Sequence, residues 1–111
     1  MKIFVSVISL ALAVGAGTAQ AEIEASGFVN MCSSNGDTVA VCTCAASELL
    51  ERIGSEKFVD MNAVAGEMFQ LQEAGQTSSD AYLNLRTQMG ALTSLDGTPA
   101  IHYFHSIDAC L

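Results

Sequence analysis

Positive charge is nearly absent from this chain. Its 111 residues hold four Lys and Arg against twelve Asp and Glu, a formal charge of −8 at pH 7. Phosphate recognition needs a cationic surface, so a nucleic-acid role is not expected, and an anionic membrane would repel the chain. The signatures of common chemistries are missing too. There is no G-x-S-x-G elbow, H-E-x-x-H pair, C-x-x-C-H haem attachment or Gly-rich phosphate loop. A hydrolase needs a nucleophile, a base and a group orienting that base, and serines alone do not supply the set. The carboxylates of Glu48 and Glu51 stand three apart, which on a helix is a solvated face. The chain is therefore expected to be a non-enzyme with no catalytic residue and no cofactor.

Repeats, low-complexity runs and interdomain linkers are also lacking, and no segment alternates long enough to argue for a strand. What remains is helical rhythm. Glu22–Met31 suits a short first helix with Phe28 and Met31, followed by the loop Ser33–Asp37, where Asp37 can cap the next helix. Val39, Cys42, Ala46, Leu49 and Ile53 then recur at three- and four-residue spacing, and Gly54 sits where a terminating glycine is expected. Ser55 can cap a third helix with an apolar face of Phe58, Met61, Val64, Ala65, Met68 and Leu71. After the break at Glu73–Ser79, a fourth helix carries Tyr82, Leu85, Met89 and Leu92. Asp96-Gly97 turns the chain, Thr98 caps, and Pro99 opens a last helix bearing Ile101, Phe104, Ile107 and Leu111. The pattern predicts an all-α, disulfide-stapled bundle of about five short helices.

The N-terminus has its own logic. Lys2, the apolar run Ile3–Val14 and the small residues Ala19 and Ala21 predict an export signal over Met1–Ala21, cleaved before Glu22. Its apolar run is short, diluted by Gly and Ala, and has no basic cluster beside it, unlike a membrane anchor. The mature domain, Glu22–Leu111, would be one helical unit in the periplasm or outside the cell, with no stable membrane insertion. Losing Lys2 takes the charge from −8 to −9. A domain this small often needs covalent help.

Four cysteines can supply that help, an even number with none left over: Cys32, Cys42, Cys44 and Cys110. In "VCTC" two cysteines stand one residue apart. On a helix such side chains point roughly 200° away from each other, so they should take separate partners. A hairpin placing Cys32 near Cys42 favours Cys32–Cys42 with Cys44–Cys110. The exchange, Cys32–Cys44 with Cys42–Cys110, stays open, because sequence alone does not choose among the three connectivities. A redox C-x-C couple would need a thiolate-stabilising cation, whereas Asp37, Glu48 and Glu51 surround the pair. A metal site could join Cys42 and Cys44 to His102 and His105, three apart on one helix face, at the cost of splayed sulfurs.

The run "FVNMCSSNGDTVAVCTCAASELLERIG", a Cys-x9-Cys-x-Cys frame entering a helix, and the late cysteine in "IDACL" resemble a loose group of uncharacterised small exported bacterial proteins. The resemblance spans nearly the whole mature domain and implies a fold type without an activity. In size, compartment and cysteine use the chain is also similar to periplasmic acid-stress chaperones and to disulfide-bearing immunity proteins. The expectation is a non-enzymatic envelope protein that binds another protein, as inhibitor, immunity factor or subunit, its acidity favouring a basic partner. A stress chaperone would need exposed Met61, Met68 and Phe69; a thiol or metal protein would use Cys42 and Cys44. Intact mass of the exported protein should match Glu22–Leu111 with all four thiols oxidised. A mass retaining Met1–Ala21, or a chain that alkylates without reduction, would overturn that expectation.

Overall fold

The computed structural model describes residues 24–111; the expected signal Met1–Ala21, its cleavage site and the Glu22 start of the first helix lie outside them. Four helices follow: α1 (Ser26–Ser34), α2 (Val39–Glu73), α3 (Asp80–Leu92) and α4 (Ile101–Asp108). The all-α expectation holds, but the helices among the described residues number four, not about five. The stretches expected as second and third helices run on as α2, with Gly54 inside it at φ 86° and ψ 161°. That conformation belongs to glycine, so the residue that was expected to end a helix instead kinks one. Ser55 accordingly lies within α2 rather than at a cap. None of the described helices is long and apolar enough to cross a membrane.

α2 is the element on which α1, α3 and α4 all pack. The seat of α1 depends on glycine. A Cβ on Gly27 would run into the backbone carbonyl of Asn62, and Gly66 faces Gly27 at ordinary van der Waals distance. With the backbones this close, Asn62 Oδ1 accepts a 2.8 Å hydrogen bond from the Phe28 N–H, while its Nδ2 donates to Glu24. Ala25 at the head of α1 offers no capping side chain, so Asn62 does the work of a cap from another helix. The Ser26 hydroxyl and N–H, then Asn62, hold the Glu24 carboxylate below its ordinary pKa. This support for α1 is complete above the ordinary carboxylate range and fades as pH falls through the lowered value.

The other end of α1 meets both legs of α2. Cys32 is bonded to Cys42 before the kink, and the Asn35 side chain accepts a hydrogen bond from Gln72 near the far end. The core follows from this arrangement. Phe28, Met31, Cys32, Cys42, Ala45, Leu49, Phe58, Met61 and Ala65 are almost wholly buried, with Tyr82, Leu85 and Met89 closing it from α3. Val39 departs from its expected face: it is 63% exposed in the first turn of α2.

Two further caps differ from expectation. Thr38, not Asp37, caps α2, its hydroxyl accepting from the Val41 N–H at 3.1 Å. Ser79 caps α3 in the same way through Tyr82. Thr98 is no cap. Its N–H and C=O exchange 3.0 Å bonds with Leu95 across Asp96 and Gly97, both at positive φ, as a tight hairpin turn requires. α4 starts at Ile101, after Ala100 in the left-handed region at φ 65°. That unfavourable conformation aims the Ala100 N–H at the Gly90 carbonyl (3.0 Å) and the His102 N–H at the Thr93 carbonyl (2.9 Å). Unused amides at the start of one helix thus meet unused carbonyls at the end of another.

Gly54→Ala places a Cβ in backbone space that only glycine occupies easily, with no neighbouring atoms in the way. It should lower unfolding free energy by about 1–3 kcal/mol without changing far-UV helix content. Gly27→Ala should cost at least as much and also disperse the Phe28 and Asn62 amide shifts, because α1 must lift off Asn62. Chemical denaturation with two-dimensional NMR checks both.

Candidate functional site

Of the residues singled out from sequence, the cysteines are placed first. Cys32 is bonded to Cys42 and Cys44 to Cys110, with Cα separations of 5.8 and 5.9 Å, and no cysteine is free. Cys42 is buried and Cys44 exposed, as helical divergence of the pair requires. With all four sulfurs in bridges, a thiolate or a cysteine-bound metal would require prior reduction. His102 and His105 stand on α4, and no group of three His, Cys, Asp or Glu able to hold a metal ion converges among the described residues. Met61 and Met68, whose exposure a chaperone surface would need, are 0% and 4% exposed, and Phe69 is half-buried.

The Cys44–Cys110 bridge also decides how α4 is rotated. Tyr103, Ser106, Ile107 and Cys110 face inward at helical spacing, while Phe104 and Leu111, expected on the apolar face, are 58% and 81% exposed. Ser106 is fully buried, and its hydroxyl has no hydrogen-bond partner among the described residues. This rotation brings α4 to one wall of a cleft that sequence reasoning missed.

The cleft has a volume of about 360 Å3 and takes residues from every helix. Met31 on α1, Met68 on α2 and Met89 on α3 form its apolar walls. Tyr82 and Arg86 project from α3 one turn apart, and Tyr103 and Phe104 stand opposite on α4. Tyr103 meets Phe28 and Phe104 edge-on, with ring centroids 6.0 and 5.3 Å apart, which fixes its ring in the wall. Burial raises the Tyr103 hydroxyl pKa above its ordinary value, so the phenol stays protonated through neutral pH. Behind the wall, Gln72 Nε2 donates both its hydrogens, to Asn35 Oδ1 at 2.8 Å and to the Tyr82 hydroxyl oxygen at 3.2 Å. Asn35 continues the chain to the Met31 sulfur at 3.2 Å.

A second surface lies where α2 and α3 meet. Asp60, Ala63 and Val64 on α2 and Gln88, Ala91 and Leu92 on α3 line an open groove of about 490 Å3. Val59, one turn before Ala63 on α2, is 58% exposed. No protein-family model, curated protein or solved structure matches the chain. Its chemistry is therefore read from these residues alone.

Neither surface was visible in sequence. The Tyr82-to-Arg86 step on a helix could have flagged α3, but the elements facing it are brought together only by the fold.

The two bridges should differ in lability, since access controls attack by an external thiol. Titration with a mild reductant under native conditions should open Cys44–Cys110 first, leaving Cys32–Cys42 intact until the core unfolds. Non-reducing peptide mapping after alkylation reads the order, and prior loss of Cys32–Cys42 would contradict the packing described. Closing the longer loop constrains the unfolded chain more, by somewhat over 4 kcal/mol against about 3 for the shorter.

Proposed function

We propose that this is an exported, non-enzymatic protein that binds another protein in the cell envelope, as inhibitor, immunity factor or subunit. The observation that carries the reading is the α2–α3 groove. Small side chains, Ala63 and Ala91, leave its floor low, Val64 and Leu92 make it apolar, and Asp60 stands beside them. A channel of that kind suits an amphipathic segment whose apolar side lies on the floor and whose cation meets Asp60. Twelve acids against four bases over the chain favour a basic partner and would speed its encounter.

Two disulfides support the compartment, because such bridges persist where the surroundings are oxidising. They also tie α1 and α4 covalently to α2, which forms one wall of the groove.

A photo-reactive residue in place of Gln88, expressed with the full export signal, should capture one discrete basic envelope protein. Ala91→Arg should abolish the adduct, and Asp60→Lys should weaken it with a shallower salt dependence. Capture that matches a control position at Asp108 on α4, or that survives Ala91→Arg, would overturn the reading.

A further inference from the structure

The cleft bounded by Met31, Met68, Met89 and Phe104 is separate from the α2–α3 groove, and its polar groups differ in sign. Among the described residues the only ion pair is Arg52 with Glu48, so the guanidinium of Arg86 has no carboxylate partner among them, although the chain is rich in acids. An unpaired cation at the edge of an apolar cleft matches an anion attached to an apolar body.

A second donor stands beside it. Tyr82 is only 7% exposed, and its oxygen is already an acceptor for Gln72 Nε2. The Met31 sulfur can only accept, so it draws Asn35 Nδ2 and turns Asn35 Oδ1 towards Gln72, and the 2.8 Å contact there then orients the Gln72 amide, since two facing acceptor oxygens would repel. Gln72 therefore cannot take the Tyr82 hydroxyl proton at that contact, and the proton is available to a group in the cleft. Tyr82 and Arg86 are four residues apart on α3, on one face. Together they offer a neutral and a charged donor to one anion, the arrangement that binds carboxylates well.

We propose that this cleft binds a small monocarboxylic acid with an unbranched apolar tail, its carboxylate held by Arg86 and Tyr82 and its tail lying among the three methionines. The acidic surroundings set the charge: one negative group is neutralised by Arg86, while a dianion would meet the net field of the protein. The size follows from the volume. At the roughly 30 Å3 that a water molecule takes in the liquid, about 360 Å3 admits about a dozen non-hydrogen atoms. Methionine walls suit a flexible alkyl chain, since they repack at little cost.

Both tyrosines line the cleft and the chain has no tryptophan, so intrinsic fluorescence reports on this site alone. Octanoate titrated into the full mature protein should change that fluorescence and shift the methyl NMR signals of Met31, Met68 and Met89, leaving Met61 in the core unmoved. Arg86→Gln should weaken octanoate by roughly ten- to hundredfold, and Tyr82→Phe by several-fold, while octanol binding stays within twofold in both. Arg86 is exposed, so Arg86→Gln should retain the parent melting curve, whereas Tyr82→Phe keeps the ring but loses the hydrogen bond from Gln72 and should melt lower while staying folded. No methyl shift with octanoate, equal affinity for acid and alcohol, or an octanoate affinity unchanged by Arg86→Gln would overturn the assignment. Capture from position 88 should be unaffected by Arg86→Gln, which keeps this test distinct from that of the groove.

Discussion

The contact between Gly27 and the backbone of Asn62 governs the rest of the architecture. Without a side chain at Gly27, α1 comes close enough for the Asn62 amide to reach the first turn of α1, and one residue then supplies both the spacing and the cap. The opposite end of α1 is tied by the Cys32–Cys42 bridge. Held at both ends, α1 spans the two legs that Gly54 creates in α2 and keeps the kink from being a free hinge. Met31 and Asn35, which form part of the cleft, are positioned by this attachment.

At the other end of the chain the same problem, a short helix with little to bury, is solved with different groups. α4 has eight residues and begins without a capping side chain. Its leading amides instead meet carbonyls at the end of α3, and Cys110 anchors its tail to Cys44. A helix this short is not stable alone, so these attachments, more than its own propensity, decide its place and rotation. The rotation has a cost in exposed Phe104 and Leu111 and a gain in Tyr103, whose ring joins the core to the cleft wall.

The electrostatics divide the surface into two kinds of site. Acidic residues dominate, and Asp60 beside the apolar α2–α3 groove matches that general field. Arg86 is the exception, a cation at a cleft whose other polar groups are amides and phenols. The proposed protein-binding role and the proposed acid-binding cleft lie on different elements of the same scaffold, and each is supported by a local charge rather than by the overall one.

Helical content, the breaks after Ser34 and after Glu73, and most of the core were legible in the sequence, because three- and four-residue spacing of apolar side chains reports directly on which face a helix buries, although Ser33, Ser34 and Glu73 prove to be helical. The divergence of Cys42 and Cys44 was legible for the same reason: it depends only on local helical geometry. Gly54 was recognisable as a special position, but whether it ends a helix or bends one depends on what waits on either side. The cap on α1 was invisible, since Asn62 is 34 residues from the Phe28 amide it serves. So was the rotation of α4, because Phe104 and Tyr103 are neighbours whose inward or outward choice is made by a bridge to Cys44 and by the carbonyls of α3. The sequence by itself determined which segments become helices and which faces are apolar, through short-range periodicity. Only the tertiary structure decided the cleft and the groove, because each is made by residues from different helices that are far apart in sequence and meet only when the helices pack.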